Sequence, residues 1–184
     1  MRILLISGST RDGSGNTAAL RTIRALTPDG VTAELYAGLA ALPAFNPDDD
    51  HDPLPPAVGE LRARIAAADS VLFCTPKYAG TLPGSLKNLL DWMVGGGEMY
   101  GKPVGWVNVA AEGRGRGAEE HLATVLGYVG TVAVEGACVR LPVPRAAVDA
   151  DGTIADPRIR AGLVSVVSAF ADHLSLHASA ADPS

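Results

Sequence analysis

The chain has 184 residues and a mass of 18.9 kDa, a length that one hydrophobic core serves, so a single domain over residues 1–180 with a short disordered tail at 181–184 is expected. At 47% hydrophobic and 19% charged, with a formal net charge of −5, the composition supports a packed interior and argues against disorder and against a polyphosphate-binding surface. Nucleic acid is not an expected partner, and neither is a membrane, because no apolar run reaches the roughly 20 residues a spanning helix needs.

The chain opens on an apolar run, residues 2–7, that Ser7, Gly8 and Ser9 end too early for a signal-peptide core, so it reads as a first strand and a cytoplasmic location is expected. Ala19, Leu20, Ile23 and Leu26 then recur at helical spacing. A second β-rich run at 31–36 leads into an acidic, proline-rich stretch, 43–56, where Asp48, Asp49, Asp50 and Asp52 surround His51. Consecutive carboxylates beside prolines lack a fixed ligand geometry, so this stretch reads as a solvated loop and not as a metal site. Val58, Leu61, Ile65 and Ala68 mark a second helix, 70–75 a third strand, and Leu86, Leu89, Leu90 and Met93 a third helix. A fourth strand at 103–108 precedes Leu122, Val125, Leu126 and Val129, and a fifth at 131–139 precedes an irregular stretch, 141–155, with the turn signal Asp151-Gly152. The last helix presents Leu163, Val166, Val167, Phe170 and Leu174; Asp156 can cap it while Pro157 takes its first position. Strands alternating with amphipathic helices signal an α/β fold, a parallel sheet covered on both faces. Cys74 and Cys138, far apart and in apolar company, read as reduced, buried thiols.

The segment Ser7-Gly8-Ser9-Thr10-Arg11-Asp12-Gly13-Ser14-Gly15-Asn16-Thr17 sits where the first strand hands over to the first helix. Ligands of open parallel sheets bind beyond the carboxyl ends of the strands, and a helix start offers unpaired N–H groups with partial positive charge. Ser9, Ser14 and Thr17 add hydroxyls, Asn16 an amide and Arg11 a planar cation, a set suited to a phosphate monoester. The plainer reading is that small polar residues merely turn the chain and cap the helix. No Gly-Lys-Ser/Thr follows, so a nucleoside-triphosphatase is disfavoured, and Ala18 stands where a dinucleotide fingerprint wants its third glycine. Nor is this a response regulator, which needs acids after the first strand, or a thiol phosphatase, which needs an Arg where Gly80 stands six residues after Cys74; Gly-x-Ser-x-Gly is absent.

The run from Thr75-Pro76-Lys77-Tyr78-Ala79-Gly80 through Pro83-Gly84-Ser85-Leu86-Lys87-Asn88-Leu89-Leu90-Asp91-Trp92 resembles the Pro-Glu-Tyr loop and following Pro-Gly-x-Leu-Lys-Asn-x-x-Asp-Trp segment of the NADPH-dependent FMN reductase family, which includes quinone, chromate and azo-dye reductases. Gly8, Ser9, Arg11, Ser14 and Asn16 match the same family's Gly-Ser-x-Arg-x-x-Ser-x-Asn pattern. The resemblance implies a flavodoxin-like three-layer sandwich whose five-stranded parallel sheet runs in the order 2-1-3-4-5. It implies that Ser9, Arg11, Ser14, Asn16 and Thr17 take the phosphate of FMN, and that Pro76, Lys77, Tyr78, Ala79 and Gly80 line its ring. Lys77 stands where the family usually has Glu; it either faces the electron-rich edge of the reduced flavin or is simply solvated.

A third loop, Asn108-Val109-Ala110-Ala111-Glu112-Gly113-Arg114-Gly115-Arg116-Gly117, resembles the family's ring-edge loop with Ala111 and Glu112 substituted. Backbone N–H groups of Ala111, Glu112 and Gly113 can bond the flavin's pyrimidine edge, and Arg114 or Arg116 can meet the phosphates of NADPH or NADH; the alternative is a flexible hairpin with exposed arginines. Lys87 and Asp91 are spaced to pair along one helix face. Trp92 falls off the apolar stripe and is expected to be partly exposed, which by the resemblance places it at a subunit interface of a homodimer or homotetramer. His173 and His177 lack the intervening Glu of a zinc-protease helix, and His121 reads as a surface residue. The expected function is FMN-dependent hydride transfer from NADPH or NADH to a small-molecule electron acceptor such as a quinone, free flavin, azo compound or metal oxyanion, with no side chain obliged to act as acid or base. The alternatives are a flavin-binding electron carrier without nicotinamide turnover and, further off, a sugar-phosphate or nucleotide binding protein.

Overall fold

The computed structural model describes residues 1–180; the tail expected at 181–184 lies outside the described residues. Five strands, β1 (Arg2–Ser7), β2 (Thr32–Tyr36), β3 (Ser70–Cys74), β4 (Pro103–Asn108) and β5 (Val132–Arg140), pair in parallel in the order β2-β1-β3-β4-β5. Five helices cover them: α1 (Gly15–Leu26), α2 (Pro56–Ala67), α3 (Gly84–Asp91), α4 (Arg116–Tyr128) and α5 (Pro157–Ala180). This is the sheet order the resemblance implies, and each strand begins and ends within one residue of its expected bounds.

The two faces follow from the period of a strand. Leu4, Ile6, Val71, Phe73 and Val104 point into one cluster with α2, α3 and α4, while Ile3, Leu5, Leu72, Cys74 and Val107 point into the other with α1 and α5. Because β1 and β3 are covered on both sides, their sequences read as unbroken apolar runs, as parallel sheets require. α5 is long and apolar enough to cross a membrane by length and composition, contrary to the expectation for the whole chain. Its Leu163, Val166, Val167 and Phe170 are instead buried with the strands, and its start is capped as expected, with the Arg158 N–H donating to Asp156 Oδ1 at 2.8 Å. Leu174 is only half-buried.

The edge strand β5 is interrupted. Val104 pairs with Ala133 but Trp106 pairs with Cys138, so the residues between bow out of the ladder. Gly105 makes the bow possible, since a Cβ there would lie 2.6 Å from the Ala137 carbonyl oxygen. Such a bulge also blunts an edge otherwise free to pair with another chain.

Trp92 corrects the sequence reading: it is fully buried. The connection from β2 to α2 folds across it, the Trp92 Nε1–H donating to Pro43 O at 2.9 Å and the ring meeting Phe45 edge-on at 5.0 Å. A helical stripe does not reveal a cover supplied by a loop more than forty residues away, so Trp92 is no subunit contact. The acidic stretch is corrected in part. Asp48, Asp49, His51 and Asp52 are exposed, but Asp50 turns inward to Arg62 Nη2 at 2.6 Å, with both side chains 11% exposed. Arg62 also donates to Trp92 O through Nε and Nη2, and Glu98 lies 3.9 Å away. Arg62→Met removes the cation between two sheltered carboxylates, and a loss of about 3–5 kcal/mol in unfolding free energy, read from the urea midpoint at pH 7, is expected.

Candidate functional site

Between β1 and β3 the chain changes direction of winding, and the crevice above the carboxyl ends of those strands is where an open α/β sheet receives a ligand. Three loops converge there: 8–14 after β1, 75–83 after β3 and 109–115 after β4. The first two are sealed together. The Gly8 N–H donates to Cys74 O at 2.9 Å, and a Cβ on Gly8 would lie 2.7 Å from Thr75 Cβ, so only glycine fits.

The first loop is shaped by its own hydroxyls. Ser14 caps α1, accepting from the Thr17 N–H at 3.1 Å, and the Thr17 hydroxyl lies 2.9 Å from Ser14 Oγ and 3.0 Å from Ser7 Oγ. Ser9 Oγ accepts from the Arg11 N–H at 3.2 Å. Ser14 and Thr17 thus have partners already and are buried, while the N–H groups of Gly15 and Asn16, at the first two helical positions, have no intrahelical acceptor. Those two residues, with Arg11 and Gly13, line a cavity of about 260 Å3 that Ala110, Ala111 and Arg145 close from the other side. Two arginines and the first two residues of α1 line this one hollow, and those donor types suit a small dianion. Ser9 and Thr17 line a different, smaller hollow toward β2, of about 140 Å3, so the residues expected at one phosphate divide between two sides of the loop.

The second loop ends in a two-residue hairpin turn. Tyr78 and Thr81 exchange both backbone hydrogen bonds at 3.0 Å, and the central residues Ala79 and Gly80 have φ of +48° and +87°, as a type I′ turn demands. Tyr78 is 57% exposed at its tip, beside exposed Lys77. α4 braces the turn: Thr81 Oγ1 lies 2.5 Å from His121 Nδ1, and Gly117 lets the Gly80 carbonyl approach where any Cβ would block it. His121 is exposed as expected, but it has this contact. Pro76, Lys77, Tyr78, Ala79 and Gly80 line neither of the larger cavities.

The third loop turns through Ala111, Glu112, Gly113 and Arg114, closed by the Arg114 N–H to Ala111 O at 2.9 Å, with Gly113 at the positive φ of a type II turn. Its base is set by Glu119 on α4, which accepts from Asn108 Nδ2 at 3.0 Å and Trp106 Nε1 at 3.4 Å and pairs with Arg140 at 2.5 Å. Asn108 Oδ1 in turn accepts from the Ala110 N–H at 3.1 Å. Burial alone pushes the Glu119 carboxyl up, but the hydrogen bonds from Asn108, Arg140 and Trp106 outweigh it and hold the group below its ordinary value. Beyond the loop opens a second cavity, of about 720 Å3, lined by Asn108, Glu112, Arg114, Arg116, Arg140 and Pro142 with the loop backbone.

Neither thiol offers a nucleophile. Burial drives Cys74 far above its usual value, with its Sγ–H directed at Asn16 Oδ1 3.4 Å away; Cys138 is half-buried instead of buried and is pushed up to about 11. Lys87 and Asp91 pair at 2.6 Å as expected, and the His173 and His177 rings stack at 4.1 Å. Sequence reasoning passed over Arg140, Arg145 and Glu119. Arg140 ends β5 and Arg145 follows it, and their position at a carboxyl strand end was the available signal; for Glu119 nothing local marked it.

The fold is that of an α/β protein of flavodoxin-like order, with three loops converging at its switch point. The sequence model of the NADPH-dependent FMN reductase family matches residues 1–143. An NAD(P)H-dependent FMN reductase of Pseudomonas aeruginosa is 36% identical over 163 residues, covering 87% of this chain and 88% of its own. A 2-hydroxy-1,4-benzoquinone reductase of Burkholderia sp. is 28% identical over 93% of this chain and 94% of its own. Among solved structures, a flavoenzyme NAD(P)H:(acceptor) oxidoreductase of Paracoccus denitrificans superposes with a TM-score of 0.75 at 26% identity, over 94% of this chain and 98% of that one. The chain belongs to the NADPH-dependent FMN reductase family.

Because the folded Glu119 pKa lies below its unfolded value, the stability it contributes is complete above about pH 4.5 and is lost as pH falls through the folded value. Wild type is therefore expected to exceed Glu119→Gln in urea midpoint at pH 7, with the gap narrowing below pH 4.5; a constant gap would contradict this account.

Proposed function

We propose that this chain is an FMN-dependent NAD(P)H oxidoreductase acting on a small acceptor of the quinone or azo type, with free flavins and metal oxyanions as further candidates. The observation that carries the reading is the cavity shared by the first and third loops, which Arg11, Arg145, Gly15 and Asn16 line together, the last two at the start of α1. That donor set fits the phosphate of FMN, two cations offsetting a dianion while the helix start supplies N–H donors. Bound there, FMN supplies two-electron chemistry: hydride accepted from NADPH or NADH and passed to the acceptor.

The chain's own residues do the positioning. Asn16 lines the cavity beside Gly15, and Ser9, Ser14 and Thr17 hold the first loop in shape, Ser9 by accepting from the Arg11 N–H and Ser14 by capping α1. The hairpin at Pro76, Lys77, Tyr78, Ala79 and Gly80 presents a flat aromatic and a cation beside the crevice, braced from α4. Backbone N–H groups of Ala111, Glu112 and Gly113 serve as donors at the pyrimidine edge, where negative charge gathers on reduction. No side chain is assigned as acid or base. Assembly as a homodimer or homotetramer and a cytoplasmic location belong to the same reading.

Titration calorimetry with FMN is expected to give micromolar or tighter affinity, with Arg11→Ala and Arg145→Ala each weakening FMN about tenfold while leaving riboflavin, which lacks the phosphate, unchanged. In an anaerobic cuvette, NADPH alone is expected to bleach the bound flavin's visible absorption. Failure of FMN to bind, or bleaching only with a partner reductase, would sink the reading.

A further inference from the structure

We infer that His121 is a positioning residue for the ring side of the flavin: by holding the Thr81 hydroxyl from α4, it fixes the hairpin that carries Tyr78. His121 and Thr81 line neither of the two larger cavities, so their effect on a ligand passes through the hairpin. The role toward the ring rests on the proposed function; the brace itself rests on the contacts alone.

The hairpin needs an outside hold. Lys77, Tyr78, Ala79 and Gly80 are exposed, two backbone hydrogen bonds close the turn, and Ala79 takes a φ of +48°, a left-handed value that a residue with a Cβ adopts only at a cost. A hairpin this small is marginal by itself in water. Among the described residues, the bond between Thr81 Oγ1 and His121 Nδ1, at 2.5 Å, is the only side-chain hydrogen bond joining residues 77–81 to another element. Gly117 stands four residues before His121, on the same face of α4, and its lack of a side chain admits the Gly80 carbonyl. The turn is thus held along its flank at two successive residues, while Leu82, the next in the chain, is buried in one cluster with Ala118 and Leu122 of the same helix. The bond survives titration of the imidazole: when neutral, Nδ1 accepts from the hydroxyl, and when charged it donates to the hydroxyl oxygen. It is a fixed brace, not a pH switch. Glu119, two residues earlier and a little over half a turn away, holds the third loop through Asn108. One helix therefore fixes both the second loop and the third, and both are ordered before a ligand arrives.

Four variants separate the bond from the fold. Thr81→Val and His121→Leu each remove one partner and keep the bulk; Thr81→Ser keeps the hydroxyl, and His121→Asn presents an amide near the place of Nδ1. In the flavin-free chain, amide exchange at Tyr78, a residue that every variant keeps, is expected to quicken about tenfold in the first two and to stay within about twofold of wild type in the last two. In titration calorimetry, FMN and riboflavin are expected to lose affinity together, about three- to tenfold, in Thr81→Val and His121→Leu, because both ligands have the ring; the loss in Arg11→Ala, at the phosphate, is confined to FMN. Thr81→Val combined with His121→Leu is expected to lose no more than either alone, as for two halves of one bond. The inference is overturned by unchanged exchange at Tyr78, by additive losses in the double variant, by conservative variants that fall as far as the disruptive ones, or by riboflavin affinity that survives loss of the bond. If neither flavin binds to wild type, the proposed function fails, and the exchange measurements on the single and double variants still decide the brace.

Discussion

Gly8 has no side chain, and Thr75 occupies the space that one would need. That single close approach lets the backbone leaving β1 lie against the backbone leaving β3, closed by the hydrogen bond from Gly8 to Cys74. At the point where the winding of an open sheet reverses, two loops diverge to opposite faces, and the crevice between them is useful only if its floor is tight. The seam supplies that floor. Above it, Ser14 caps α1 while leaving the amides of Gly15 and Asn16 free, and the hairpin at Tyr78 stands beside them. Arg145, from beyond β5, lines the same cavity as Arg11.

A second constraint governs the other side of the crevice. Glu119 is partly buried and would resist ionisation by itself, but three donors from two strands converge on it and keep it charged. The carboxylate ties the end of β4 to the end of β5, and through Asn108 it reaches the Ala110 amide of the third loop. Satisfied networks of this kind hold backbone groups in place before a ligand arrives, so little ordering remains to be done on binding. The same carboxylate that holds the loop also pairs with Arg140 at the wall of the larger cavity. Shape and charge in the larger cavity thus share one origin.

Much of this was legible in the residues. Short β-rich runs alternating with amphipathic stripes marked five strands and five helices, since strands buried on both faces leave unbroken apolar runs. Gly8, Arg11 and Asn16, at a strand-to-helix junction, pointed to an anion because a helix start has free N–H groups wherever it occurs. The Asp156-Pro157 cap was readable for the same local reason. Trp92 and Asp50 were misjudged because their surroundings come from elsewhere in the chain: Pro43 and Phe45 cover the indole, and Arg62 draws the acid inward.

By itself, then, the order of amino acids determined the alternating elements, the family resemblance and the loops that carry the chemistry, all of which depend on neighbours within a few positions. Only the tertiary structure decided which charges meet. Arg11 and Arg145 share one hollow, Arg114, Arg116 and Arg140 another, and Ser14 and Thr17 face inward instead of toward a ligand. Electrostatic partnership depends on distance in space, and residues more than a hundred positions apart acquire that distance only when a parallel sheet sets its strand ends side by side.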